Sequence, residues 1–305
     1  MDAITLDHLR AGGKAALARA LAALERQPRA PANLALLDDA FAAAHAHVIG
    51  LTGPPGVGKS TLTGALIAQY RAAGESVGVI AVDPSSKRSG GALLGDRVRL
   101  AVNGEDEGVF IRSMAARDRL GGLAEQSIAA MVLMRALFDK VLIETVGVGQ
   151  SETEISLAAD SVVFCVQPGS GDSLQFMKAG IVEIPHIAVV TKADMGAAAQ
   201  RALSDLTGAL SLSTAGGAWP TRCLAVSASE GSGLAELTAA LDDHRRWLEE
   251  DGRLARQRRT QTAAWFRAAV RERFGSHGLS RLGAEALSPQ ARPFSRLAKI
   301  DAHLS

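Results

Sequence analysis

Apolar positions in the first 44 residues recur mostly at three- and four-residue steps. Leu9, Ala16, Leu17, Leu21 and Leu24 mark one helical face, and Pro28 and Pro31 end the run before a second short helix from about 34 to 44. The texture then changes to short, β-branched apolar runs at 47–51, 77–82, 109–111, 141–143, 162–166, 187–190 and 223–226. Most are continuously apolar, as strands covered on both faces are. Helical patterns at 59–73, 120–138 and 197–210 separate several of them. Strands alternating with helices predict an α/β fold, a mostly parallel sheet covered by helices on both faces.

Past about residue 234 the strand signal stops. Residues 236–274 are helical and charged, Gly252 marks a break, and Trp247 and Trp265 add large apolar surface. Phe266, Val270 and Phe274 form an i, i+4, i+8 stripe, which fits either a helix packed on the same domain or an arm buried against a second subunit. Beyond residue 288 the tail reads as weakly structured. The expected organisation is an N-terminal helical extension (1–46), a core domain (47–241) and a C-terminal helical segment (242–305).

Composition narrows the function classes. The chain of 305 residues is 47% apolar and 21% charged, which supports a globular core. A net charge of +1 gives no overall attraction to nucleic acid or anionic lipid. The basic run Arg253, Arg256, Arg258, Arg259 has no interleaved aromatic residues and reads as a solvated face. Cys165 and Cys223 lie in apolar runs and read as buried, unpaired thiols. The most apolar helical stretch, 127–138, is short and interrupted by Arg135, so no membrane partner is expected. The start, Met1-Asp2-Ala3-Ile4-Thr5, has neither a basic nor an apolar signal region, and the expected localisation is cytoplasmic.

The most specific stretch is Gly53-Pro54-Pro55-Gly56-Val57-Gly58-Lys59-Ser60, followed by Thr61, a complete G-x-x-x-x-G-K-[ST] phosphate loop between an apolar strand and a helix. A triphosphate needs several backbone N–H groups converging on its oxygens, which a glycine-rich loop and a helix N-terminus supply. Lys59 can bridge the β- and γ-phosphates, and the Ser60 hydroxyl can ligate Mg²⁺. Thr191-Lys192-Ala193-Asp194, continuing an apolar strand, resembles the [NT]-K-x-D guanine motif, and Ser227-Ala228 fits the second guanine-contacting loop one strand later. An Asp at 194 accepts hydrogen bonds from the imino and amino groups of guanine, whereas adenine leaves that carboxylate unpaired. The expected ligands are GTP or GDP with Mg²⁺.

Asp83 and Glu144 stand at strand ends, where ligands bind in open α/β sheets, and Asp96 lies in a glycine-rich stretch. All three are candidate organisers of the metal, and Gly147 can present its N–H to the γ-phosphate. Gln150 is not adjacent to Gly147 and is given no water-orienting role.

The run Glu144-Thr145-Val146-Gly147-Val148-Gly149-Gln150-Ser151-Glu152, with Asp83-Pro84-Ser85-Ser86 and Gly95-Asp96-Arg97, closely resembles the MeaB/ArgK-type GTPases. Gln167-Pro168-Gly169-Ser170-Gly171-Asp172-Ser173-Leu174-Gln175 resembles that family's third switch. The similarity covers about 50–229 and, more loosely, both helical flanks. The resemblance implies a P-loop GTPase that acts as a chaperone of an adenosylcobalamin-dependent acyl-CoA mutase, coupling GTP hydrolysis to cofactor loading and protecting the mutase. It implies that Lys59 and Ser60 hold phosphate and Mg²⁺, that Asp83, Asp96 and Glu144 organise the metal, and that Gln167, Asp172 and Lys178 transmit partner binding. It also implies a homodimer through the C-terminal helices. Three departures stand out: Thr191 where Asn is usual, implying a weaker contact to base or phosphate loop; Lys87-Arg88 in place of more apolar residues; and a poor match past Gly275. The main rival is a metal-insertion GTPase of the HypB/UreG kind, but the cysteines and histidines show no ligand spacing beyond His45-x-His47. A kinase role and an inactive interaction module fit less well, since no catalytic-loop base is visible and Lys59 and Ser60 are intact.

Overall fold

The computed structural model describes residues 4–84, 105–116, 125–145, 155–169, 184–211, 219–281 and 291–304. Seven strands, β1 (His47–Thr52), β2 (Val77–Pro84), β3 (Val109–Ala116), β4 (Lys140–Glu144), β5 (Ser161–Val166), β6 (Ile187–Val190) and β7 (Arg222–Ala225), form one sheet in the order β3-β2-β4-β1-β5-β6-β7. Every pairing is parallel, so all strand C-termini open on one edge. This is the α/β architecture the apolar runs predict.

Alternation along β1 shows how both faces are covered. Ile49 and Leu51 point to a core shared with α3 (Lys59–Ala72) and α6 (Leu234–Glu249). Val48 points to the opposite core, built with α1 (Leu6–Arg26), α2 (Pro31–Ala42) and α4 (Glu125–Arg135). On that face Gly50 admits the turn at Ile155–Leu157, since a Cβ there meets Ile155 at 2.5 Å. Helix α5 (Ala197–Ser211) covers β6 and β7.

Two expectations need correction at the chain's ends. Helix α2 begins at Pro31, a residue well suited to a first helical turn, rather than near Leu34. The tail is not weakly structured: α8 spans Pro293–Leu304. Its first turn is capped by Asp38 of α2, whose carboxylate accepts from the Phe294 and Ser295 N–H groups at 3.0 and 3.2 Å. Of the two readings left open for the aromatic stripe, packing on the same chain is seen: α8 covers much of it. Phe266 and Val270 of α7 (Arg253–Arg281) are fully buried against Leu297 and Ile300 of the same chain. Residues 241 and 242 both lie within the continuous α6.

At the N-terminal edge of the sheet a buried polar cluster fastens α7. The fully buried Asp160 accepts from Arg258 at 2.6 and 2.8 Å, from the Val48 N–H at 2.9 Å and from Arg245 at 3.4 Å. Burial works to raise its pKa, but Arg258, His47 and the Val48 N–H outweigh that and hold it below the usual carboxylate range. Arg258 therefore does not belong to a solvated face, although Arg256 and Arg259 do. Alongside, Ser161 Oγ bridges His47 Nε2 at 2.6 Å and His244 Nδ1 at 2.7 Å, and His186 Nδ1 accepts from the Val162 N–H at 2.9 Å.

Candidate nucleotide-binding site

The phosphate loop leaves the C-terminal end of β1 and enters α3. Gly53 has φ +136°, and a Cβ there falls 2.1 Å from the Cys165 carbonyl oxygen, so only glycine lets the loop pass β5 this closely. Gly58, with φ +96°, turns the chain into the helix. Lys59 is buried, and its Nζ donates to the carbonyls of Gly53 at 2.8 Å and Pro54 at 3.0 Å. That places a cation at the mouth of the loop. Pro55, Gly56 and Thr61 are exposed, whereas Pro54 and Val57 are buried.

Glu144 ends β4, in register with Leu51 of β1, and is buried. Ser60 Oγ donates to its Oε1 at 2.5 Å, and Thr63 Oγ1 lies 3.1 Å from its Oε2. The Thr63 hydroxyl has one proton to share between that carboxylate and the Lys59 carbonyl at 3.0 Å. Thr63 was not among the residues singled out from sequence, although its place one turn after Lys59 on the same helix face is a usable signal. A hydroxyl and a carboxylate side by side are the hard oxygen donors that Mg²⁺ takes.

The second half of the site follows β6 and β7. The Thr191 hydroxyl lies 2.6 Å from the Val57 carbonyl and 2.9 Å from that of Val166. The link to the phosphate loop expected to weaken with Thr in place of Asn is therefore present. Lys192 has φ +54°, and its Nζ donates to Gln167 Oε1 at 2.5 Å and the Gly56 carbonyl at 3.4 Å. Gln167, assigned from sequence to the third switch, thus also touches the lysine of the base motif. Asp194 Oδ1 accepts from Ser227 Oγ at 2.6 Å, and the Ala193 N–H donates to the Val226 carbonyl at 3.2 Å. Ala228 is half-buried beside them. The fold brings segments 53–63, 144, 167, 191–194 and 226–228 to the same sheet edge.

Asp83 is placed by its backbone alone, at the end of β2 in register with Ala115 and two residues beyond the partner of Glu144. Asp96, Gly147, Asp172 and Lys178 lie outside the described residues, as does Gln150. Burial pushes the Cys165 thiol, directly behind the phosphate loop, up to about 12, so it is neutral. Among the described residues no group of three or more His, Cys, Asp or Glu side chains is arranged to hold a metal ion, and no helix is long and apolar enough to cross a membrane.

The sequence model of the family described as "Methylmalonyl Co-A mutase-associated GTPase MeaB" matches residues 17–281. The chain belongs to the MeaB family. It is a GTPase with guanine nucleotide as its ligand. Among the chain's relatives, a Pyrococcus horikoshii putative GTPase is 46% identical over 221 residues, 71% of this chain and 69% of that one. The Escherichia coli GTPase ArgK is 36% identical, with 90% of this chain and 85% of the relative covered. The Mus musculus "Methylmalonic aciduria type A homolog, mitochondrial" is 35% identical over 75% of this chain and 56% of its own length. The solved structure of a LAO/AO transport system kinase superposes with a TM-score of 0.71 at 28% identity, covering 98% of this chain and 96% of that one. Helicobacter pylori HypB, solved in complex with nickel, shares the fold at a TM-score of 0.53 and 17% identity, covering 70% of this chain and 94% of its own.

Proposed function

We propose that this MeaB-family GTPase is a chaperone of an adenosylcobalamin-dependent acyl-CoA mutase of the methylmalonyl-CoA mutase type, using GTP hydrolysis to assist cofactor loading and protect the mutase. The family description that matches 17–281 names that mutase, and this is the observation that carries the reading. The mouse relative's name points to the same metabolism. The metal-insertion alternative is supported by shared fold alone, at 17% identity.

In the mechanism this site supports, the loop N–H groups of 53–60 and Lys59 neutralise the β- and γ-phosphates of GTP. Ser60 and Glu144, with Asp83 and Asp96, would hold Mg²⁺, which supplies Lewis-acid neutralisation of phosphate charge. Thr63 steadies the Glu144 carboxylate through its second oxygen. Asp194, oriented by the Ser227 hydroxyl, reads guanine, while Thr191 ties the base loop to the phosphate loop and the Lys192 stem flanks the base. Gly147 reports the γ-phosphate, and Gln167, Asp172 and Lys178 couple the site to the partner. No arginine finger is assigned in this chain, and such a group is worth about 10³–10⁵ in turnover, so slow basal hydrolysis raised by the partner is expected.

The deciding experiment is co-elution of the purified chain with candidate mutases, with and without a non-hydrolysable GTP analogue. Nucleotide-dependent co-elution and increased GTP turnover support the proposal. A chain that hydrolyses GTP but neither binds nor responds to any adenosylcobalamin-dependent mutase would overturn it.

A further inference from the structure

Arg135, the last residue of α4, presents a different problem from the other buried cations. Arg258 and Arg245 share Asp160, and the Lys140 Nζ lies 3.0 Å from Asp242 and 3.4 Å from Glu75. Arg135 is only 5% exposed, yet among the described residues no carboxylate pairs with it. Its Nε is buried without a hydrogen-bond partner, and its guanidinium lies over the Phe41 ring at 5.5 Å from the centroid. A charge removed from water without a counter-charge is among the most costly arrangements in a protein interior.

The same side chain lines a small cavity at the seam of α2, α4 and α7, together with Phe41, Leu157, Arg258, Gln261 and Thr262. The polar groups of α7 that face it are largely committed elsewhere. The Gln261 amide donates to the Ser156 and Ala159 carbonyls, both at 2.8 Å, and the Thr262 hydroxyl donates to the Arg258 carbonyl at 2.7 Å. Asp160 already serves Arg258, Arg245 and the Val48 N–H. The unmet demand in the cavity is therefore for negative charge.

We infer that Arg135 and Arg258 form a binding site for a small inorganic monovalent anion of halide size, chloride being the abundant one. Size selects the ligand class. The space open to a solvent-sized particle is about 20 Å³, more than the ~10–15 Å³ one such particle needs, which suits a single small ion. Charge selects an anion over water, which satisfies donors without neutralising the guanidinium. Burial lowers the Arg135 pKa only to about 10, with Arg258 repelling it more than Asp160 attracts it, so it remains a cation at neutral pH. The site is separate from the nucleotide loop and its inference does not depend on the mutase reading.

Thermal unfolding of the full chain tests this at constant ionic strength, exchanging sodium gluconate, a bulky organic anion, for chloride or bromide. The wild type should gain about 2–4 °C in Tm, saturating with halide concentration. Arg135→Met should show no halide dependence and should fold, since an apolar side chain removes the uncompensated charge. Crystals grown in bromide should give an anomalous peak against the guanidinium, which keeps the test decisive if the variant folds poorly. A wild type indifferent to halide, an equal halide response in Arg135→Met, or water alone at that position each overturns the inference.

Discussion

In the proposed site Asp194 reads the base, and its surroundings fit that role. Ser227 is fully buried and donates to one Asp194 oxygen at 2.6 Å, which restricts the carboxylate's rotation. A hydrogen bond to a charged acceptor contributes about 1.5–3 kcal/mol, so Asp194→Asn should weaken GTP binding about 10–100-fold. The same change turns one acceptor into a donor and should shift preference toward xanthosine nucleotides. Calorimetric titration of the variant with GTP and XTP measures both effects, and an unchanged GTP affinity would remove Asp194 from the base pocket. Glu144 shows a related economy of placement. Ser60 and Thr63, three residues apart on one helix, each engage a different oxygen of it, so α3 both opens the phosphate site and aims the acid.

The elements were legible in the sequence where burial is symmetric and local. All seven strands appear as short apolar runs because a parallel sheet covered on both faces leaves no polar alternation, and the phosphate loop is legible because backbone geometry dictates its glycines. Less legible were contacts made across long sequence separations. Arg258 looks like one of four solvated arginines until β5 delivers Asp160 beneath it, and nothing local marks that pairing. Helix α8 was missed although Pro293 and the Phe294, Leu297, Ile300 spacing signal a helix, since its N-cap comes from Asp38 in a distant helix. The buried histidines at the N-terminal edge of the sheet, two at strand starts and His244 on α6, have a similarly tertiary origin. Burial lowers His47 to about 3, His186 to about 4 and His244 to about 2. Unfolded, each takes a proton near 6.5; folded, each resists it. The unfolded state thus binds more protons as pH falls below about 6.5, and stability should decline progressively from there toward pH 4. Denaturant midpoints between pH 8 and pH 4.5 would show it, and the decline should be shallower in His186→Phe. A flat profile in that range contradicts neutral, buried imidazoles.

At the scale of the whole molecule, the C-terminal helices belong to the body of the chain, and this changes what they can do. Phe266 is completely buried under α8, so Phe266→Ala should cost about 3–5 kcal/mol in stability. Its native mass in solution should equal that of the wild type; dissociation of a wild-type dimer without loss of stability would favour the dimer-arm reading. What α7 does reach is the turn at Ile155–Leu157, which follows the Glu144 segment after 146–154 and packs beneath Gly50 of β1. Gln261 donates to Ser156 and Ala159, while Gln257 donates to the Asp160 carbonyl at 3.0 Å. A change around Glu144 on nucleotide turnover therefore has a short physical path into the helical layer. Gln261 touches neither phosphate loop nor base loop, so Gln261→Ala should bind GTP with wild-type affinity. It removes one hydrogen bond to that turn and one to Ala159 just after it, and on the proposed chaperone reading stimulation of hydrolysis by the mutase should fall while basal turnover stays near the wild-type rate. Stopped-flow nucleotide binding and single-turnover hydrolysis, each with and without partner, separate the two effects. Equal partner stimulation in the variant would mean that the coupling runs through another part of the fold.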